Sequence, residues 1–77
     1  MNDIQARLRA CFAVVFPKLA EAKIATADMT SVEGWDSLAM ANLITVIEEE
    51  FGIQIKPQDL EQMVSFQQIV GYLQNKR

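Results

Sequence analysis

The side chain best placed for chemistry is Ser37. It lies in the run Gly34-Trp35-Asp36-Ser37-Leu38, where Asp36 has the character of a helix N-cap and Ser37 falls in the first turn that follows. A helix start presents unpaired N–H groups and about half a positive charge, so a hydroxyl there suits a phosphate ester. Position alone also allows a plainer role, in which Asp36 and Ser37 simply share capping. Other nucleophilic chemistry is excluded by composition. The chain has no His, which removes Ser–His and Cys–His catalysis, and Lys18, Lys23, Lys56 and Lys76 all lie outside the Ser37 helix. Cys11 shares a helical apolar stripe with Leu8, Phe12 and Val15, and so reads as a small core residue rather than a reactive thiol. One Cys and no His supply neither an internal disulfide nor the ligands of a zinc site, so no metal is expected.

Several elements must position Ser37. Apolar spacings of three and four predict a helix from Asp3 to Phe16, closed by Pro17. Lys18 to Gly34 reads as a connection of about 17 residues, long enough to need pinning by Leu19, Ile24, Met29 and Val32 or to contain a short helical turn. The Ser37 helix runs to Glu50 or Phe51, with Leu43, Ile47 and Phe51 on one face, Met40, Ile44 and Val46 beside them, and Gly52 as the stop. Ile53-Gln54-Ile55 reads as an extended connector. Pro57 opens a short third helix from Gln58 to Met63, and Ser65 caps a fourth that carries Phe66, Ile69, Val70 and Leu73. The expected architecture is all-α, a bundle of three main helices and one short one, with residues 1–77 as a single domain. Trp35 has two readings, packing over its own helix or docking a partner, of which packing is preferred.

These residues carry a family resemblance. Glu33-Gly34-Trp35-Asp36-Ser37-Leu38, then Leu43, Ile47, Glu48-Glu49-Glu50-Phe51-Gly52-Ile53 and Ile55, resembles the phosphopantetheine-attachment region of acyl carrier proteins. The likeness continues through Phe66, Ile69, Val70, Tyr72 and Leu73. It implies a four-helix carrier bundle in which Ser37 is esterified to 4′-phosphopantetheine, whose thiol carries acyl groups as thioesters. It further implies a supporting role for Asp36 beside the metal-bound coenzyme A pyrophosphate, a phosphopantetheinyl transferase as partner, and acyl-loading and acyl-transfer enzymes thereafter. Such a protein is a substrate rather than an enzyme, so the missing His is no handicap. An unmodified adaptor that keeps the fold, or an aminoacyl or peptidyl carrier, are the alternatives.

Members serving primary fatty-acid synthesis place acids in the first two turns after the serine, but here those turns read Leu38-Ala39-Met40-Ala41-Asn42-Leu43-Ile44. That departure suggests a specialised polyketide-like, modified-lipid or aminoacyl-transfer pathway. Leu38, Ala39 and Met40 then become an apolar docking surface, with Glu48 and Glu49 adding longer-range attraction; alternatively, Met40 fills the core. Glu48, Glu49 and Glu50 sit at the negative end of the helix dipole, where each costs about 0.3–1 kcal/mol, so a function or a solvated helix end must account for them. A net charge of −3 disfavours nucleic acid as a partner. No apolar run spans a membrane, and the stretch from Ala10 to Phe16 with Ala20-Glu21-Ala22 makes a poor secretion signal, so a cytoplasmic monomer is expected.

Overall fold

Apolar residues recurring once per turn draw the first helix onto the core. The structure, a computed structural model, describes residues 3–76, so positions 1, 2 and 77 of the expected domain lie outside the described residues. Helix α1 (Asp3–Val15) buries Ile4, Leu8, Cys11 and Phe12. Phe16, expected inside it, lies just past its end, where Pro17 cannot supply the next N–H. The connection that follows contains one helical turn, α2 (Glu21–Ile24), because Ile24 is pulled into the core.

Two hydrogen bonds fasten this connection to the far end of the chain: Met29 N–H donates to the Val64 carbonyl at 3.0 Å, and Phe66 N–H donates to that of Ala27 at 2.9 Å. Between them lies an isolated antiparallel bridge, Asp28 with Ser65. The Asp28 carboxylate accepts from Thr30 N–H, Thr30 Oγ1 and Ser31 N–H at 2.7–2.9 Å, which stiffens the turn and holds that carboxyl below its usual pKa.

Helix α3 (Ser37–Phe51) buries Met40, Leu43 and Ile47 and stops at Gly52. Gly52 has φ 64°, in the left-handed region that favours glycine, and its N–H donates to the Glu48 carbonyl. The short helix expected from Gln58 to Met63 is instead a 3₁₀ helix, Pro57–Gln62. It buries none of its side chains, so no apolar face draws it into a longer α-helix. Helix α4 (Phe66–Lys76) places Phe66, Ile69, Val70, Tyr72 and Leu73 in the core, and Ser65 Oγ accepts from Gln68 N–H at 3.1 Å as its cap. Among the described residues the fold is all-α, with α1, α3 and α4 as main helices and two short ones where one was expected.

The core centres on Phe12. Its ring stands edge-on to Trp35 at 5.5 Å and to Phe66 at 5.3 Å, with Phe16 at 5.8 Å. Arg7 ties α1 to the end of α3: its Nε donates to Glu50 Oε2 at 2.8 Å, Nη2 donates to the Glu50 carbonyl, and the guanidinium lies over the Phe51 ring at 4.5 Å.

Leu43 and Ile47 are fully enclosed, so truncating either leaves a cavity. Leu43→Ala or Ile47→Ala is expected to lower unfolding free energy by about 2–5 kcal/mol in a urea melt, comparable with the whole stability of so small a domain. A variant that melts within a few degrees of wild type would contradict this packing.

Candidate functional site

The start of α3 is set by the residues just before it. Gly34 has φ 89°, again left-handed, and turns the chain so that Trp35 enters the core at 4% exposure. Trp35 therefore packs, against Phe12 and Phe16, rather than offering a docking ring. Asp36 follows in an extended conformation; its Oδ1 accepts from Ala39 N–H at 2.9 Å while its carbonyl accepts from Met40 N–H at 2.8 Å. Ser37 is exposed as the first residue of the helix. The cap belongs to Asp36, which leaves the Ser37 hydroxyl on the surface for another use.

Ser37 borders an apolar groove of about 410 Å³. Met40, Ala41 and Ile44 of α3 form one side, Ile55, Pro57 and Leu60 form the other, and Met29 of the long connection also lines it. The serine is the one polar side chain among these lining residues. A hydroxyl at the margin of such a groove can anchor a group whose apolar end lies against the wall, and the exposed helix start suits a phosphodiester. Sequence reasoning missed the groove because its walls come from separate segments. The available signal was Leu60, an apolar residue isolated in a polar short helix.

The other site residues separate. Leu38 is 73% exposed, directly beside the serine, whereas Met40 is only 9% exposed and helps wall the groove. The expectation that Met40 lies on an exposed docking surface is corrected: one turn beyond Ser37, its apolar side chain belongs to the core cluster and is 9% exposed, at the wall of the groove. Ala39 is half-buried and borders a second, open hollow beside Phe16, Leu19 and Val32.

The acidic run also divides. Glu48 is half-buried, and its Oε2 accepts from Ile55 N–H at 2.8 Å; Glu50 pairs with Arg7; Glu49 is exposed. Two of the three carboxylates thus hold local structure. Lys18, Lys23 and Lys56 lie outside α3, and the side chain of Lys76 lies outside the described residues. Cys11 is 2% exposed, and burial, reinforced by the nearby Glu50 charge, pushes its thiol up to about 11. Among the described residues no cluster of His, Cys, Asp and Glu could hold a metal ion, and no helix is long and apolar enough to cross a membrane.

Comparison with known proteins places this geometry in context. A family profile described as a phosphopantetheine attachment site matches residues 6–73. An acyl carrier protein of Nitratidesulfovibrio vulgaris is 41% identical over 44 residues, 57% of this chain and 58% of that protein. One from Buchnera aphidicola is 29% identical over 76 residues, 99% of this chain and 96% of its own length. One from Campylobacter hominis is 38% identical over 42 residues, 54% of this chain and 53% of that protein. The matches therefore cover less than two thirds of the first and third relatives and nearly all of the second.

Two outcomes follow from these burials. Met40→Glu puts a carboxylate at a site that is 9% exposed and is expected to cost at least about 2 kcal/mol, seen as a lowered melting temperature. Unchanged melting would restore Met40 to the surface. For Cys11, the unfolded chain ionises near 9 and the folded one near 11. Stability should fall as pH rises between those values, because only the unfolded state releases the proton there. A Cys11→Ala variant should flatten the slope between pH 9 and 10, where Cys11 alone of the two raised groups titrates, while Tyr72, raised from 10 to about 12, still lowers stability above pH 10.

Proposed function

Because the chain belongs to the phosphopantetheine-attachment family of acyl carrier proteins, we propose that Ser37 is its attachment residue and that it shuttles acyl groups between partner enzymes. Acyl carrier proteins are carriers rather than enzymes, and the family's domain holds 4′-phosphopantetheine covalently; when bound, that group supplies a thiol for thioester formation. The observation that carries the assignment is an exposed Ser37 hydroxyl in the first turn of α3, immediately after the capping Asp36 and at the edge of an apolar groove.

Each neighbour has a part in this reading. Asp36 fixes the first turn through Ala39 N–H and leaves a carboxylate near the serine that can help orient metal-bound coenzyme A. In the attachment step Ser37 Oγ bonds to the phosphorus of the pantetheine phosphate. The bond from that phosphorus to the nucleotide half of coenzyme A breaks, the nucleotide half leaves, and the serine proton passes to a base on the transferase. The groove beside Ser37 offers apolar surface to an acyl chain, which favours an acyl over an aminoacyl or peptidyl cargo. Leu38 and Glu49, exposed on α3, are the docking residues that remain from the expected surface, with Ala39 at its margin. The uncharged turns after Ser37 support a specialised fatty-acid, polyketide-like or modified-lipid pathway over a general one. We take the chain to act as one carrier domain, monomeric and cytoplasmic, with a phosphopantetheinyl transferase and acyl-loading and acyl-transfer enzymes as partners.

Incubation of the apo-protein with coenzyme A, magnesium and a broad-specificity phosphopantetheinyl transferase is expected to add one arm by intact mass, and Ser37→Ala to accept none. Wild-type protein left unmodified by several such transferases would favour the unmodified adaptor.

A further inference from the structure

The two long walls of the groove beside Ser37 are secured differently. On the α3 side, the helix is anchored by Leu43 and Ile47, both fully enclosed. The opposing wall includes the 3₁₀ helix Pro57–Gln62, which contributes Pro57 and Leu60 to the groove yet buries no side chain of its own. Burial resumes only at its flanks, with Ile55 at 7% exposure before it and Met63 at 0% after it. A segment tethered at both ends with nothing enclosed between them belongs to the low-stability part of a fold, and i→i+3 hydrogen bonds do little to stiffen it.

Side-chain hydrogen bonds from the two neighbouring main helices reach this wall. At its leading end the Glu48 carboxylate of α3 accepts from Ile55 N–H at 2.8 Å. At its middle the Tyr72 hydroxyl of α4 donates to Asp59 Oδ2 at 2.7 Å. Tyr72 is 7% exposed, so the ring is fixed by the core while its hydroxyl meets the wall. We propose that the Tyr72–Asp59 hydrogen bond is a latch that keeps the 3₁₀ wall closed against the groove, making Tyr72 and Asp59 positioning residues for an apolar chain held there. Burial and the Asp59 carboxylate push the Tyr72 phenol up to about 12, so the hydroxyl remains a donor throughout the neutral range. The cargo half of this proposal rests on the carrier reading; the latch itself does not.

Amide hydrogen exchange of the apo-protein at neutral pH tests the latch directly. Tyr72→Phe keeps the buried ring and removes only the hydroxyl, and Asp59→Ala removes only the acceptor. Each should speed exchange of amides 59–63 by about tenfold or more, while the Leu43 and Ile47 amides keep their protection. The double variant should exchange no faster than either single one, because both remove the same interaction. Asp59→Asn, whose amide oxygen still accepts, should stay near wild type. Unchanged exchange at 59–63, or an equal loss of protection at Leu43 and Ile47, would overturn the latch. For the cargo, the octanoyl-loaded holo-protein should lose its thioester to hydroxylamine several-fold faster in Tyr72→Phe than in wild type, and equal rates would overturn retention by the latch. A chain that accepts no arm would refute the carrier reading, and the exchange data would still judge the hydrogen bond.

Discussion

The Ser37 end of the molecule hangs from the ring of Phe12. That ring meets Trp35 edge-on, two residues before the serine, and Phe66 edge-on, at the first residue of α4, so α1 sets where α3 begins and where α4 begins. Burying a Trp ring is worth about 4–6 kcal/mol at ordinary transfer values. The Trp35 Nε1 donor is buried without a hydrogen-bond partner among the described residues, which costs about 1–3 kcal/mol. Packing outweighs the lost hydrogen bond, and the indole is oriented for its neighbours in the core. With Trp35 fixed from below and Asp36 capping from above, Ser37 has little freedom in where its hydroxyl emerges.

The same demand for anchoring explains the acidic end of α3. Three glutamates against the negative end of a helix dipole are unfavourable by about 0.3–1 kcal/mol each. Glu48 offsets this by satisfying Ile55 N–H, and Glu50 by gripping Arg7, whose guanidinium also covers Phe51. These contacts fix the far end of α3 to α1 and to the connector that leads into the groove wall. Glu49 and Glu50 are both exposed, and Glu49 is the one for which a docking role is proposed.

Much of this was legible in the chain itself. The stripes of Ile4, Leu8, Cys11 and Phe12 and of Leu43 and Ile47 fall at helical spacing, and the two caps and Gly52 are local signals read correctly because their partners are a few residues away. What could not be read depends on distant partners. The bridge between Asp28 and Ser65 joins residues with no shared pattern, and it is what orders the long connection. Met40 lies one turn from Ser37, where periodicity permits a core or a surface role, and only the assembled fold, in which it joins the core cluster, decides for the core. The short third helix showed its Pro57 start but not its 3₁₀ form, because the absence of a buried face emerges only in the assembled fold.

The central claim is that Ser37, held at the start of α3 by the Trp35 and Asp36 anchors, is a covalent attachment point in the cell. The most direct measurement is intact and fragment mass of the protein isolated from the cells that naturally make it, with and without hydroxylamine. The account predicts one phosphopantetheinyl addition mapped to Ser37, with any further mass on its thiol removed by hydroxylamine. Protein that is uniformly unmodified at Ser37, or modified at another residue, would contradict it.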